Sequence, residues 1–136
     1  NFYKKVLNKK PKIAVCGLNP HCESGKKNNE EKKIIIPAIK GALKKKIKVF
    51  GPYAADTLFI KKNVNEFDVV LGMYHDQVLT PIKTLYQFDA INITLGLPFI
   101  RVSPDHGTNN QMLGKNKSDP TSLKKSLIFL DQNSAS

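Results

Sequence analysis

Apolar positions along this chain fall into short runs, and the segments between them carry helical spacing. Residues 1–10 read as the end of a helix or a connector, and the abrupt start at Asn1 leads us to expect structured chain upstream. Lys12 to Leu18 (KIAVCGL) is an apolar run stopped by Asn19 and Pro20, the pattern of a buried strand. The segment from His21 to Asn29 is polar and reads as a flexible loop. Glu30 to Lys46 places Ile34, Ile35, Ala38, Ile39, Ala42 and Leu43 close to a 3.6-residue period, which predicts an amphipathic helix with a local irregularity at Pro37. Val49 and Phe50 form a short strand closing at Gly51-Pro52, and Ala54 to Val64 is helical with Asp56 in its first turn.

The alternation continues downstream. Asp68 to Tyr74 (DVVLGMY) reads as a third buried strand, followed by a helix from about His75 to Tyr86. Ala90 to Leu95, with β-branched Ile91, Ile93 and Thr94, is a fourth strand. Gly96, Pro98, Pro104 and Gly107 then mark a loop-rich stretch, and Ser118 or Thr121 is placed to cap a final helix through Leu130. Strands alternating with helices predict an α/β fold with a largely parallel sheet, and no linker or internal repeat divides the chain.

Composition narrows the classes. At 136 residues and 40% hydrophobic content, the chain can bury a core of its own. The absence of an apolar run of the ~20 residues a membrane span needs, and of an apolar signal region, predicts a soluble, cytoplasmic protein with no membrane partner. Cys16 and Cys22 are too few for a disulfide scaffold and are read as buried or idle thiols. Twenty-two basic residues stand against 11 acidic ones, a net charge of +11. The lysines, however, cluster without the interleaved aromatics that stack single-stranded bases, so they read as a solvated face. No nucleic-acid partner is expected, although a field of this sign draws anionic substrates toward a cleft.

Two of the three histidines, His21 and His75, stand immediately after predicted strands. In open α/β sheets, ligands bind beyond the carboxyl ends of strands, so the two imidazoles can converge on Zn or another first-row divalent metal, with Asp56 or Asp76 completing or orienting the set. Arg101 is the single arginine, and its rigid two-point fork holds phosphate or carboxylate in a way that lysine does not. Lys83, on the helix opened by His75, reads from composition as a surface lysine, and with burial or a metal beside it as an anion contact or a proton-transfer group. Asn92, inside an apolar strand, reads as a buried amide in need of partners. No Gly-x-Gly-x-x-Gly or Walker loop is present, so a dinucleotide would bind in another way. The turn Ser103-Pro104-Asp105-His106-Gly107-Thr108 offers backbone N–H groups for one.

The strings PKIAVCGLNPH, GPYAADTLF, MYHDQ followed by LTPIK, and INITLGLPFIRVSPDHGT resemble, in order and spacing over residues 11 to about 115, consecutive motifs of the 4-hydroxythreonine-4-phosphate dehydrogenase family. The resemblance implies an α/β fold similar to isocitrate and isopropylmalate dehydrogenases. It implies that residues 1–136 are the C-terminal portion of a two-domain enzyme that works as a homodimer with a shared active site. His21 and His75 would be two of three histidines on a divalent metal (Zn, Mg or Co), the third lying upstream. Lys83, Asn92 and Arg101 would contact the substrate, with Arg101 suited to its phosphate. Asp56 and Asp76 would handle protons or support the metal, with Lys83 beside them in the catalytic set. His106, Gly107 and Thr108 resemble the loop that holds NAD or NADP.

The implied reaction is NAD(P)-dependent oxidation of 4-phosphooxy-L-threonine to 2-amino-3-oxo-4-phosphooxybutanoate. That product decarboxylates to 3-amino-2-oxopropyl phosphate on the route to pyridoxine and pyridoxal phosphate. The chain departs from the family's pattern in NNQMLGKN after HGT, in the basic loop CESGKKNNEE after NPH, and at Val78, where glycine is common. The alternatives are a paralogue acting on another four-carbon acid phosphate or a diol carboxylate, and a non-catalytic fragment that binds anions or nucleic acid.

Overall fold

The computed structural model describes residues 2–6, 8–22, 25, 28–108 and 110–133. Parts of the expected connector at Asn1, the basic loop at residues 23, 24, 26 and 27, and Asn109 of NNQMLGKN lie outside the described residues. The chain forms two compact units, Asn1–Pro81 and Ile82–Ser136. Where the sequence shows no linker, the division falls inside a helix, at Pro81. Among the described residues no helix is long and apolar enough to cross a membrane.

The first unit is built on β1 (Ile13–Cys16), the central strand of a three-stranded sheet between β2 (Val49–Tyr53) and β3 (Val69–Leu71). Both pairings are parallel, with Ile13 opposite Val49 on one side and Val69 on the other. A short helix, α1 (Phe2–Val6), precedes the sheet. Between β1 and β2 runs a π-helical turn, Glu31–Ile35, continuing into α2 (Ile36–Lys44); α3 (Ala55–Leu58) and α4 (Lys61–Val64) connect β2 to β3. Val15 packs with Ile35, Ile39 and Val49 on one face of the sheet, and Ala14 and Cys16 pack with Leu58 on the other. Helices thus cover β1 on both faces, which is why its residues are apolar without alternation.

Three elements differ from the pattern of the sequence. The predicted helix over 30–46 begins with a π turn, in which the Ile36 N–H donates to Glu31 O five residues back. The Asn29 carboxamide caps this turn by accepting the Lys32 N–H at 2.9 Å. The β2 strand does not close at Gly51-Pro52 but continues to Tyr53. Pro52 has no N–H for the ladder, the register shifts between Ala14 and Cys16, and pairing resumes where the Gly17 N–H reaches Tyr53 O at 3.0 Å. The helix expected over 54–64 is split because Ile60 is extended (ψ 129°), leaving α3 and α4 as separate turns.

Polar contacts tie the start of this unit to the sheet. The Asp68 carboxylate accepts the Lys12 N–H at 2.8 Å and pairs with the Lys9 ammonium, while the Tyr3 hydroxyl donates to the Asp68 carbonyl at 2.9 Å. The Lys12 N–H, with the Lys9 ammonium next, holds the Asp68 carboxyl below its ordinary range. Lys12 also lies over the Phe67 ring at 4.8 Å, one of the basic side chains that does more than face solvent.

Helix α5 (His75–Tyr86) leads into the second unit, which contains β4 (Ile91–Thr94), β5 (Arg101–Pro104), a 3₁₀ turn at Asn110–Met112, and α6 (Thr121–Asn133). The expectation that residues 90–95 join the parallel sheet is corrected here. β4 pairs antiparallel with β5, a segment that Pro98 and Pro104 had marked as loop. Four residues ending in proline are too short to print a strand period. The cap of α6 is also revised: the Asp119 carboxylate, rather than Ser118 or Thr121, accepts the Thr121 N–H, at 2.8 Å. Helix α6 packs against both strands.

Leu58 is 3% exposed and fills the space under Ala14 and Cys16. Leu58→Ala is expected to cost about 2–5 kcal/mol of unfolding free energy, read as a lowered urea midpoint. A variant with the parent's midpoint would mean that this face of β1 is not a packed core.

Candidate functional site

Adjacent parallel strands deliver their C-terminal ends to one edge of a sheet. With Val15 opposite Leu71, the residues after β1 and after β3 leave the sheet at the same edge. His21 emerges after β1 in the turn Asn19-Pro20-His21-Cys22, and His75 after β3 as the first residue of α5. The strand-end placement read from the sequence is therefore what the fold provides.

The His21 turn is held three ways through Asn19. Its carbonyl accepts the Cys22 N–H at 3.0 Å, its Oδ1 accepts the His21 N–H at 2.9 Å, and its own N–H donates to the Glu31 carboxylate at 2.7 Å. Cys22 takes a left-handed conformation (φ 56°) to close the turn. Gly17 gives it room, because a Cβ there would lie 2.4 Å from the Cys22 sulfur. Burial pushes the Cys16 thiol up to about 11 and raises that of Cys22, as expected of structural thiols at neutral pH.

The two histidine segments are joined by a residue whose role the sequence pattern did not reveal. Gln77, 6% exposed on α5, donates from Nε2 to the Gly17 carbonyl at 2.7 Å and accepts the Met73 N–H on Oε1 at 2.8 Å. One buried amide thus bridges the end of β1 to the end of β3. Its signal in the sequence was an uncharged polar residue on the inward side of an amphipathic helix, two positions after His75. Val78 fits because Gly72 opposite has no side chain; a Cβ there would meet Val78 Cγ1 at 2.5 Å.

His75 and Asp76 are exposed, and His75 Nδ1 lies 2.6 Å from Asp76 Oδ1. A proton on Nδ1 shared with the carboxylate leaves the Nε2 lone pair outward, the orientation that metal-binding histidines take. Asp56 lies exposed in the first turn of α3, after β2, which is β1's other parallel neighbour. Among the described residues no group of three or more His, Cys, Asp or Glu side chains gathers to hold a metal. The two imidazoles have the right donor chemistry for Zn or a similar ion, but as a set they need further ligands.

The remaining predicted residues belong to the second unit. Lys83 Nζ pairs with Asp105 Oδ2 at 2.9 Å and also donates to the Asp105 carbonyl. The lysine is thereby tied to the SPDHGT turn. The same turn is anchored from below by Ser122, 1% exposed, which accepts the Asp105 N–H at 2.7 Å and donates to the Ala90 carbonyl at 2.6 Å. Arg101 is exposed and donates from Nη1 to the Thr94 hydroxyl across the strand pair at 2.7 Å. Asn92 is a correction: it is exposed rather than a buried amide, because the β4–β5 ribbon leaves it on the uncovered face. His106, Gly107 and Thr108 are exposed, with His106 Nδ1 3.2 Å from Gly107 O.

Parallel strands whose carboxyl edge presents histidine and carboxylate side chains define an α/β protein of the kind that binds ligands at strand ends. A family profile described as pyridoxal phosphate biosynthetic protein PdxA matches residues 1–129, and the chain belongs to this family. It is 49% identical over 122 residues to a 4-hydroxythreonine-4-phosphate dehydrogenase of Sulfurihydrogenibium sp. (strain YO3AOP1), a match covering 89% of this chain and 37% of that protein. It is 44% identical over 127 residues to the D-threonate 4-phosphate dehydrogenase of Salmonella typhimurium, covering 93% and 39%. The crystal structure of 4-hydroxythreonine-4-phosphate dehydrogenase from Klebsiella pneumoniae superposes with a TM-score of 0.75 at 41% identity, over 93% of this chain and 39% of that one. The α/β fold is thus that of a dehydrogenase family, and the chain spans between a third and two fifths of the length of the curated relatives it matches.

Gln77→Leu keeps the side-chain volume but strands a buried carbonyl at Gly17 and an N–H at Met73. The expected loss is about 1–3 kcal/mol for each unpaired group, read by urea unfolding. A loss no larger than that of an exposed substitution would show that water replaces the bridge.

Proposed function

We propose that this chain is the C-terminal portion of an NAD(P)-dependent 4-hydroxythreonine-4-phosphate dehydrogenase that oxidises 4-phosphooxy-L-threonine. The product, 2-amino-3-oxo-4-phosphooxybutanoate, loses CO2 to give 3-amino-2-oxopropyl phosphate. The observation that carries the reading is the match of nearly the whole chain, at 49% identity, to a relative of that name, combined with His21 and His75 at one sheet edge.

In this reading His21 and His75 hold a divalent metal together with ligands outside the chain. When bound, the metal acts as a Lewis acid on the substrate hydroxyl, and the nicotinamide accepts the hydride. Asp76 fixes the tautomer of His75 through its Nδ1 contact. Asp56 and Asp76 lie among the groups that take up the hydroxyl proton. Arg101, steadied by Thr94, clamps the substrate phosphate through its fork. Lys83 and Asn92 contact the remainder of the substrate. Lys83, bound to Asp105, also aligns the substrate with the His106–Thr108 loop that receives the dinucleotide. The enzyme acts as a cytoplasmic homodimer.

A second reading has its own support, because a D-threonate 4-phosphate dehydrogenase matches at 44% identity over 93% of the chain. The two substrates differ at carbon 2, which bears an amine in one and a hydroxyl in the other. NAD(P)H formation by the longest natural protein containing this chain, with each substrate and with Zn, Mg or Co, separates them. Turnover of 4-phosphooxy-L-threonine is expected. Turnover of D-threonate 4-phosphate alone selects the second reading, and turnover of neither rejects both.

In that protein His21→Ala and His75→Ala are each expected to abolish metal-dependent turnover. Full activity in either would end its assignment as a ligand. Arg101→Lys is expected mainly to raise KM for the phosphorylated substrate, since lysine lacks the fork. An unchanged KM would make Arg101 a strand-pairing residue.

A further inference from the structure

We propose that Glu31 is the positioning residue for His21: a buried carboxylate that grips the backbone of the histidine turn and so sets where the imidazole stands. This rests on the reading of His21 as a metal ligand. Three observations converge on Glu31. It is 1% exposed, the one ionisable side chain among the buried described residues apart from the Cys16 thiol, and its Oε1 accepts the Asn19 N–H at 2.7 Å. Its Oε2 is buried with no hydrogen-bond partner among the described residues. It also opens the π-helical turn, a distortion that recurs at functional sites.

A buried carboxylate is costly unless hydrogen-bond donors compensate it, and an apolar residue at this place would leave the Asn19 N–H without its partner. The task at this place is one for a strong acceptor, since the group it grips is a backbone N–H. The Asn19 N–H, in the first place, and the N–H groups of Glu31 itself and Leu18 hold the carboxyl below its ordinary range, against the upward push of burial. The anion therefore sits in a cluster of backbone dipoles at the end of β1, and its bond to Asn19 N–H is charge-assisted. Asn19 in turn takes the His21 N–H on its Oδ1 and the Cys22 N–H on its carbonyl. Displacing Asn19 thus displaces His21 through two further hydrogen bonds, although Glu31 itself takes no part in the chemistry.

The test uses the longest natural protein containing this chain and cobalt(II) as the probe, with binding read by equilibrium dialysis and by visible absorption. Glu31→Gln keeps the shape and one acceptor but loses the charge. It is expected to weaken cobalt binding about ten- to a hundredfold, as loss of a group that orients a ligand does. The concentration of cobalt that half-saturates turnover should rise in step, KM for the dinucleotide should stay unchanged, and excess metal should restore most of kcat. A loss of kcat that metal does not restore, with cobalt affinity unchanged, overturns the proposal and leaves Glu31 a core residue. If the variant does not fold, hydrogen exchange in the parent decides. Protection of the Asn19 amide well beyond that of its loop neighbours supports the grip, and exchange at the loop rate overturns it. His21→Ala serves as the control on the underlying reading: unchanged cobalt affinity there removes His21 as a ligand and the proposal with it, whereas weakened affinity there beside unchanged affinity in Glu31→Gln overturns the proposal alone.

Discussion

The bridge made by the Gln77 carboxamide is the interaction on which the arrangement of the first unit depends. Parallel strands align their ends but do not position the loops beyond them, since each loop leaves the sheet with unpaired backbone groups. Gln77 satisfies one such group from each of two neighbouring strands, the Gly17 carbonyl and the Met73 N–H. A carboxamide offers a donor and an acceptor on one planar group without a charge that burial would penalise. Because it sits two residues beyond His75 on α5, the same helix that presents one histidine also fastens the strand end from which the other departs.

The second unit obeys the same rule with different chemistry. Its SPDHGT turn is gripped at Asp105 from two directions, by the Lys83 ammonium and by the Ser122 hydroxyl. Ser122 relays the constraint to the Ala90 carbonyl, at the start of β4, so α6, the strand ribbon and the turn share one hydroxyl. In both units a loop carrying candidate chemistry is fixed by a buried polar side chain on a helix that bonds to backbone, and backbone bonding holds position without constraining the loop's own side chains. Unsatisfied backbone groups near a ligand are costly, and pairing them with helix side chains leaves the loop side chains for chemistry.

How far the sequence disclosed this depends on the range of the interaction. Strand β1, helix α5 and strand β4 were legible because IAVC, the 75–86 segment and INIT carry their periodicity locally, and the placement of His21 and His75 after strands came from it. The partnership of β4 was not legible. Whether INIT pairs with a distant parallel strand or with Arg101–Pro104 depends on the reach of the 95–100 loop, and no period records that. The loop-rich stretch marked by Gly96 and Pro98 is apolar in composition, yet its Leu95 and Phe99 are each 62% exposed. Asn92 was assigned an apolar environment from its neighbours, but a two-stranded ribbon buries one face only. The motif strings marked the residues with candidate chemistry, while Gln77, Glu31 and Ser122, which hold them, look like ordinary polar positions on helices.

Charge makes the same distinction between residues that bear on structure and those that do not. Most of the 22 basic side chains contribute a diffuse field, screened within about 10 Å at ordinary salt. Several act at contact distance, among them Lys83 on Asp105, Lys9 on Asp68, Lys125 on Asp89, Lys12 over Phe67, and Arg101 on Thr94. Of these Arg101 is the one whose geometry cannot be replaced by another basic residue of the chain, because a lysine at the same place in β5 would reach Thr94 or an anion with a single point of contact rather than a planar fork. A surplus of lysine can therefore raise the local concentration of an anion without orienting it, whereas the planar fork of the one guanidinium is held in place by Thr94, its antiparallel partner in the strand pair.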